Sequence, residues 1–286
     1  MTERRLLLGN EAIARGLVEN GCAIATSYPG TPASEILASV AFFQKENKIS
    51  MHTQWAVNEK IAFEIAYAGC QTGLRTAVSM KQVGLNVASD PLMSAAYMGV
   101  KGGFIVVSAD DPGPISSQTE QDSRLMAMMA RIPVLDPDTP HQAKEIIGMA
   151  YELSETFNSP VMLRPTTRVC HSRQDVALAK IQPNNREVKF EKDPARWAAT
   201  PRFRFHLHKE VEEKLAGGFT CLKLKIGAID FESELDILRS IRKKFPAEQL
   251  EIRVDANGAF PAANALPILE ELAKFGLHSI EQPIKA

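Results

Sequence analysis

Two separate runs of short apolar segments that alternate with amphipathic segments make up most of this chain of 286 residues. The first run extends to Arg164, and the second begins near Gly217, with a charged segment between them. Short apolar strands that alternate with helices favour a parallel sheet that is covered by helices on both faces and connected by right-handed crossovers. The sequence therefore predicts an α/β fold in two units.

The charged segment sets the predicted domain boundaries. We assign residues 1–180 to an α/β domain, residues 181–216 to a charged linker arm that leads into a helix, and residues 217–286 to a second unit. At roughly 150 residues for each domain, a chain of this length is expected to form about two domains that each bury a core.

Composition and charge limit the expected partners and compartment. A formal net charge of −1 gives no electrostatic reason to bind nucleic acid or an acidic membrane. The longest apolar runs are far shorter than the ~20 residues of a spanning helix. The first ten residues contain too short an apolar stretch for a signal peptide. We therefore expect a cytoplasmic protein that binds neither nucleic acid nor membranes.

The four cysteines are scattered along the chain, at Cys22, Cys70, Cys170 and Cys221. Widely spaced cysteines in a chain that is not secreted favour reduced and mostly buried thiols. An iron–sulfur cluster needs closely spaced thiolate ligands. We therefore expect no iron–sulfur cluster in this chain.

The apolar periodicity of the first run predicts the positions of its elements. Helices are expected over residues 12–20, 58–68, 85–98, 117–130 and 141–157, and strands over residues 22–28, 51–55, 75–80, 103–109, 133–135 and 160–164. In parallel sheets, ligands bind beyond the carboxyl ends of the strands, in the loops that open helices. Those loops are therefore the places to look for a site.

Several of these loops carry residues that suit a site, but each also has a structural interpretation. Residues 29–32 place the Thr31 hydroxyl and backbone N–H groups at a helix start, where anions bind, or they form a plain N-cap turn. Glu59 opens a helix, either as a functional carboxylate or as an acidic residue that favours the helix dipole. Residues 81–86 form a polar mouth or a loop, and residues 110–114 predict a turn that demands no ligand.

Six sequence blocks occur together in the first unit, at residues 28–36, 57–60, 80–91, 109–114, 117–122 and 163–169. Together they resemble the α-subunit of indolepyruvate:ferredoxin oxidoreductases, and the similarity extends to about Leu215. In that family, this region is the pyrimidine-binding domain of a thiamine-diphosphate enzyme. The resemblance implies oxidative decarboxylation of aryl 2-oxo acids such as indolepyruvate, with ferredoxin as the electron acceptor.

The resemblance also implies roles for four residues. Glu59 matches the family's catalytic glutamate, which hydrogen-bonds the aminopyrimidine ring of the cofactor and so activates it. Gly30 belongs to the cofactor-binding turn, and Thr31 would contact the carboxylate of the substrate. Gln82 stands where many relatives have histidine, so its implied part in substrate binding stays open.

The same resemblance indicates which parts of the family's enzymes are missing from this chain. Family members continue into a diphosphate-binding domain with a magnesium motif and then into cysteine-rich cluster modules. They also work as oligomers with a β-subunit. We therefore expect a truncated α-subunit that is inactive alone and depends on a diphosphate-binding domain from elsewhere.

The second unit has a charged residue at the end of each of three predicted strands. Strands are expected over residues 221–226, 250–254 and 278–280, with helices over 231–245 and 261–275. Lys225, Asp255 and Glu281 then stand at strand ends, where a (β/α)₈ barrel has its catalytic face. The alternative is that they are ordinary charged residues of a parallel β-α-β-α-β unit.

Residues 223–225, 255–257 and 281–283 closely resemble o-succinylbenzoate synthases of the enolase superfamily. The resemblance implies that Lys225 is an acid/base lysine and that Asp255 and Glu281 bind Mg²⁺. The third carboxylate, the opposing lysine and the capping domain of that family are missing, and a barrel needs about 250 residues. Three hypotheses follow: a cofactor-binding domain that acts with other chains, a partial barrel lyase, or a non-functional chimera.

Overall fold

The computed structural model describes residues 3–198, 200, 207, 210, 221–226, 230–256 and 258–284, without the side chains of 221–223, 225 and 244. The chain divides into a first unit, Met1–Glu212, and a second unit, Glu213–Ala286. The three-part division with a linker over 181–216 stays a prediction.

The first unit alternates strands and helices along most of its length. Its strands are β1 (Arg4–Leu8), β2 (Ile24–Ser27), β3 (His52–Trp55), β4 (Thr76–Lys81), β5 (Phe104–Ala109), β6 (Val134–Leu135), β7 (Val161–Leu163) and β8 (Arg173–Ala177). Its helices are α1 (Gly9–Glu19), α2 (Ser34–Glu46), α3 (Glu59–Cys70), α4 (Gln82–Val87), α5 (Ser89–Met98), α6 (Ser123–Ala130), α7 (Pro140–Phe157), α8 (Thr167–His171) and α9 (Pro194–Trp197).

A six-stranded sheet in the order β3-β2-β4-β5-β7-β6 forms the centre of the first unit. Every neighbouring pair in it is parallel, so the predicted parallel sheet is confirmed. The ends of β2 and β4 are in register, with Ser27 opposite Ser79. The loops that follow these strands therefore begin at the same edge of the sheet.

Both faces of this sheet are buried under helices, which explains its continuous apolar strands. Along β5, Ile105 and Val107 belong to the core shared with α1, α2 and α7. Phe104 and Val106 belong to the opposite core, shared with α3 and α5. Phe104 is fully buried and meets the Phe63 ring edge-on at a centroid distance of 5.0 Å.

Three details of the first unit differ from the sequence prediction. Strands β1 and β8 lie outside the predicted strand ranges, and they pair antiparallel with each other in a two-stranded ribbon that is separate from the parallel sheet. The helix predicted over 85–98 is divided into α4 and α5, with Ala88 between them. The helix predicted over 117–130 begins only at Ser123, because the preceding segment forms a loop that folds onto the Asp111 carboxylate.

Residues 182–193, at the start of the predicted linker, lie along the first unit at the amino-terminal ends of β4 and β5. The amide of Lys189 donates to the carbonyl of Thr72 at 3.0 Å. Arg186 contacts Glu155 at 2.7 Å, and Glu191 pairs with Lys101. We call residues 182–193 the strap.

The second unit contains β9 (Cys221–Lys225), α10 (Phe231–Lys244), β10 (Glu251–Asp255), a short 3₁₀ helix (Ala262–Asn264), α11 (Ala265–Ala273) and β11 (Ser279–Glu281). Its three strands are parallel in the order β11-β10-β9. A single core fills one face of this sheet and includes Leu238, Ile252 and Leu272. The predicted β-α-β-α-β order is therefore present, while its origin in a barrel stays a prediction.

Cys22, Cys70 and Cys170 are free and buried. Burial raises the pKa of Cys22 to about 11 and that of Cys70 to about 12, which leaves both as neutral thiols near neutral pH. Over the described ranges, none of the helices has the combined length and apolar character needed to cross a membrane.

Candidate functional site

Glu59 carries the most unusual carboxylate of the first unit. It is the first residue of α3, and the preceding Asn58 caps the helix by accepting a hydrogen bond from the Ile61 amide at 2.9 Å. A Cβ atom on Gly84 would stand 2.5 Å from Glu59 Oε1 and 2.8 Å from its Cδ. Glycine at position 84 therefore leaves room for this carboxylate. Within the described residues, the Glu59 carboxylate makes no hydrogen bond and no ion pair.

Gly30 and Thr31 lie in the turn between β2 and α2. A Cβ atom on Gly30 would stand 3.3 Å from Cβ of Lys81, so this turn packs directly against the Lys81 side chain. The Gly30 amide donates to Ser34 Oγ at 2.8 Å. The Thr31 side chain is exposed, and its carbonyl accepts from Ser116 Oγ at 3.3 Å. The turn is thus held to α2 and to the loop after β5.

Gln82 is 1% exposed and carries a buried oxygen without a partner. Its Nε2 donates to the Thr119 carbonyl at 3.2 Å. Because a carbonyl can only accept, this contact fixes which way the amide faces and leaves Oε1 as the unpartnered atom. A buried acceptor without a donor costs about 1–3 kcal/mol. Gln82 is therefore suited to receive an N–H or O–H group from a ligand.

The Asp111 carboxylate organises the loop between β5 and α6. It accepts from Ser116 N and Ser117 Oγ at 2.8 Å each and from Thr167 Oγ1 at 2.7 Å. Burial by itself would raise the pKa of Asp111, but these hydrogen bonds lower it to about 2. In turn, the Ser116 carbonyl accepts from Lys81 Nζ at 2.9 Å. One carboxylate thus supports the loop that holds Lys81 and Gln82.

A buried ion pair lies beneath this loop. Arg164 Nε, at the end of β7, contacts Asp110 Oδ2, at the end of β5, at 2.6 Å, with side-chain exposures of 6% and 0%. Asp110 also accepts from the amide and the hydroxyl of Ser123. The pair joins the neighbouring strands β5 and β7 at the edge where the loops begin. Its two charges compensate each other, so it stabilises this edge and leaves no unpaired charge there for a ligand.

The predicted residues therefore all lie at one edge of the sheet: Gly30 and Thr31 in the turn before α2, Glu59 as the first residue of α3, and Gln82 as the first residue of α4. Lys81 and Gly84 connect Gly30 with Glu59, while Ser116 and Thr119 connect Thr31 with Gln82. Sequence reasoning missed Lys81, Gly84 and Asp111 as individual site residues. No signal in the sequence indicated them. For Asp111, for example, neither the residue type nor its spacing distinguishes an aspartate that supports a loop from an ordinary turn residue.

In the second unit, the three predicted residues stand in one row across the sheet. Asp255 is in register with Lys225 on one side and with Glu281 on the other. Neighbouring strands lie about 4.8 Å apart, and residues in register point to the same face. Asp255 is buried and Glu281 is exposed, while the Lys225 side chain lies outside the description. No cluster of three metal-binding side chains occurs among the described residues.

Two family profiles match different parts of the chain. The profile described as pyruvate flavodoxin/ferredoxin oxidoreductase, thiamine-diphosphate-binding, matches residues 15–221. The profile described as enolase C-terminal domain-like matches residues 206–286. The two matched regions meet within residues 206–221.

Curated relatives divide in the same way. The chain is 47% identical over 218 residues to the indolepyruvate oxidoreductase subunit IorA of Thermococcus kodakarensis, across 74% of this chain and 33% of that protein. It is 41% identical over 216 residues to the IorA of Archaeoglobus fulgidus. It is 60% identical over 79 residues to the o-succinylbenzoate synthase of Desulfotalea psychrophila, across 28% of this chain and 22% of that protein.

The chain spans about a third of the length of the IorA relatives. Among solved structures, the 2-oxoglutarate:ferredoxin oxidoreductase of Magnetococcus marinus aligns with a TM-score of 0.61 at 15% identity. The alignment covers 100% of this chain and 63% of that one. At this level of identity the likeness shows the fold.

Proposed function

The chain belongs to the pyruvate flavodoxin/ferredoxin oxidoreductase family through its thiamine-diphosphate-binding region, and from that premise we propose that its first unit serves thiamine-diphosphate-dependent oxidation of 2-oxo acids. Relatives named indolepyruvate oxidoreductase support an aryl 2-oxo acid, indolepyruvate, as the substrate. The same resemblance supports ferredoxin as the acceptor, together with a β-subunit and a diphosphate-binding domain as partners.

The unpartnered Glu59 carboxylate is the observation that carries this proposal. Thiamine diphosphate, when bound, supplies the electron sink for decarboxylation. Glu59 is free to accept a hydrogen bond from the cofactor's aminopyrimidine ring, because no described residue competes for its oxygens. A plain N-terminal helix residue would not require the glycine at position 84 that makes room for its carboxylate.

Other residues of this edge fit the same group and its substrate. The turn at Gly30 offers backbone close to Lys81 without an intervening side chain. Gln82 Oε1 offers a buried acceptor, and the exposed Thr31 offers a hydroxyl at the start of α2. We assign Gly30 to cofactor binding, and Thr31 and Gln82 to substrate binding.

Replacement of Glu59 tests the proposal. In the chain combined with the partner domains of a relative, we expect Glu59→Gln to reduce indolepyruvate-dependent reduction of an acceptor by at least ~10²-fold, because a group that moves a proton is lost. The matched control is Glu64→Gln, which lies on the exposed side of α3 beside Lys60. Equal activity of Glu59→Gln and the control would contradict the proposal.

We further propose that the chain is a chimera of two parents. Support comes from two unrelated family matches that meet within residues 206–221 and from the division into units at Glu212. Uninterrupted native DNA across codons 205–225, together with the intact mass of the native protein, tests whether one gene encodes both parts. Two separate reading frames would contradict the chimera.

A lyase activity in the second unit is the second candidate function, favoured by the register that aligns Lys225, Asp255 and Glu281. Lys225 would act as the acid/base, and the two carboxylates would bind Mg²⁺ weakly, because that ion demands six near-octahedral oxygens. Formation of o-succinylbenzoate that disappears in Lys225→Ala would support this activity. If the wild-type chain forms no o-succinylbenzoate at millimolar Mg²⁺, the lyase activity is contradicted.

The buried free thiols also bear on the compartment. Cys22, Cys70 and Cys170 are free and buried in the first unit, an arrangement that suits a compartment where thiols are kept reduced. Together with the chain's near-neutral charge, they support our proposal that the protein is cytoplasmic.

A further inference from the structure

Among the described residues, the Lys81 ammonium is a cation without an acidic partner at the edge of the sheet that carries the candidate site. Lys81 ends β4, and its stem packs against Gly30. Its Nζ donates to the Ser116 carbonyl at 2.9 Å. In the part of the chain that the structure describes, no carboxylate pairs with this ammonium.

Lys60 provides an internal comparison. The segments at the carboxyl ends of β2, β3 and β4, residues 28–34, 56–60 and 81–84, contain Lys60 and Lys81 as their lysines and no arginine. Lys60 is paired with Asp90 at 3.0 Å and lies near Glu64 at 3.9 Å. Lys81 thus differs from its neighbour in having its charge uncompensated.

A cation suits the charge of the ligand that is proposed for this edge. Glu59 brings an unpartnered carboxylate to the edge, and a 2-oxo acid brings a second carboxylate. Two carboxylates that are both ionised repel each other, and a nearby ammonium offsets that repulsion. A lysine has three N–H donors, and only one of them is used on the Ser116 carbonyl. Two donors remain for an incoming carboxylate.

The loop on Asp111 holds the ammonium in place without neutralising it. The Asp111 carboxylate is engaged by Ser116, Ser117 and Thr167. It therefore reaches Lys81 only through the neutral carbonyl of Ser116. This arrangement fixes the direction of the Lys81 side chain and keeps its charge available for a ligand.

We propose that Lys81 binds the carboxylate of the 2-oxo acid substrate and so sets the preference of the site for acids over neutral carbonyl compounds. The assignment rests on the proposed function of the first unit. It adds a charged anchor to the hydroxyl of Thr31 and the buried oxygen of Gln82, neither of which offers a positive charge to an anion.

Titration of an acid and its neutral analogue tests this assignment. Binding of indole-3-pyruvate and of its methyl ester is measured by calorimetry with thiamine diphosphate present, for the full chain and for Lys81→Met, Lys81→Arg and Lys60→Met. We expect the acid-to-ester affinity ratio to fall by about 10-fold or more in Lys81→Met, because a charge-assisted hydrogen bond is lost. Lys81→Arg and Lys60→Met should keep the ratio.

A readout on the wild-type chain makes the test independent of how the variants fold. Acetylation of Lys81, followed by mass spectrometry, should be slowed by the acid and unaffected by the ester. An unchanged ratio in Lys81→Met, or equal protection by acid and ester, would overturn the assignment. Equal protection by inorganic phosphate would do the same, because it would indicate general anion binding.

A separate titration of thiamine diphosphate distinguishes this assignment from the proposed function. Lys81→Met should leave cofactor affinity within about twofold of wild type while the acid preference is lost. Acid binding that depends on Lys81, in a chain that does not bind thiamine diphosphate even when combined with the diphosphate-binding domain of a relative, would contradict the proposed function alone. If the cofactor binds normally and the acid-to-ester affinity ratio is the same in wild type and in Lys81→Met, the assignment of Lys81 alone is contradicted.

Discussion

The sheets of the two units differ in what covers them. In the first unit, strands such as β5 are buried on both faces, with Phe104 in one core and Ile105 in the other. In the second unit, Ile252 and Val254 face a single core, whereas Arg253, between them, is 42% exposed at its side chain. The same strand–helix alternation thus gives a sheet closed by helices on both faces in one case and a sheet with a charged face in the other.

The burial of the two sheets bears on the relative stability of the two units. A sheet with two buried faces derives its stability from apolar area within its own unit. The second unit has Asp255 and Glu281 next to core residues along their strands, at positions that alternate with Val254 and Ile280. We infer that the first unit is the more stable of the two, and the following predictions test that comparison.

Truncation of one core residue in each unit should give the largest effects. Phe104→Ala should lower the free energy of unfolding by about 3–5 kcal/mol, because a fully buried ring that packs edge-on against Phe63 is lost. Ile252→Val should cost only about 0.5–1.5 kcal/mol in the second unit. Urea unfolding should be followed by fluorescence, since both tryptophans, Trp55 and Trp197, belong to the first unit.

Circular dichroism on the same samples reports both units and provides the control. Phe104→Ala should lower the urea midpoint of the fluorescence transition. Ile252→Val should lower only the midpoint of the earlier circular-dichroism transition, which reports the second unit. A fluorescence midpoint below that of the remaining signal in the wild-type chain would reverse the order of stability.

The pH dependence of the first unit should show a smaller effect, from Asp111. Its pKa in the folded state is about 2, against an ordinary value of 3.8. A lowered folded-state pKa means that stability is fully present above about pH 4 and is lost as the pH falls toward 2, by about 2 kcal/mol in total. Asp111→Asn should remove this part of the acid sensitivity of the fluorescence transition.

Asp138 offers a matched control for this measurement. It lies outside the Asp111 loop, and its backbone amide, rather than its carboxylate, contacts Gln142. Asp138→Asn should leave the acid profile of the first unit unchanged. An Asp111→Asn profile identical to that of wild type would show that the loop does not depend on this carboxylate's charge.

The strap should show the smallest effect. Arg186→Ala removes a partly exposed contact with Glu155, which keeps the two hydrogen bonds that Arg75 donates to it at 2.8 Å. We expect a loss of less than about 1 kcal/mol, since partly exposed ion pairs contribute little. Arg75→Ala, at the more buried contact, should cost more. A larger effect of Arg186→Ala in urea unfolding would indicate that the strap supports the fold.

Much of the fold could be predicted because its signals are local. The alternation of apolar strands and helices identified the parallel sheet. Gly21, with a φ of 71°, stands just after α1, where a left-handed residue commonly ends a helix. The β1–β8 ribbon could not be predicted, because its pairing joins Leu6 to Asp175 across the whole first unit. The late start of α6 was missed for a related reason: the loop before it depends on a buried carboxylate rather than on helix propensity.

In the candidate site, only those residues could be predicted whose roles were implied by the resemblance to a known family. Glu59, Gly30, Thr31 and Gln82 were identified in this way, and the structure brings their loops to one edge. Lys81 has an ordinary sequence context, so its uncompensated charge became visible only from its surroundings. For the same reason, the glycine at position 84 gained a function only when the Glu59 carboxylate was found against it.

The position of the strap bears on how new proteins arise. It runs along the amino-terminal ends of β4 and β5, through Thr72 and Lys101, away from the loops that carry Glu59 and Lys81. Exchange of the sequence that follows the strap therefore leaves those loops unedited. For the chimera that we propose, this means that the edge of the sheet with Glu59 and Lys81 is built entirely from residues that precede the strap. The part of the chain that differs between the two parents then lies after the last residue that contributes to that edge.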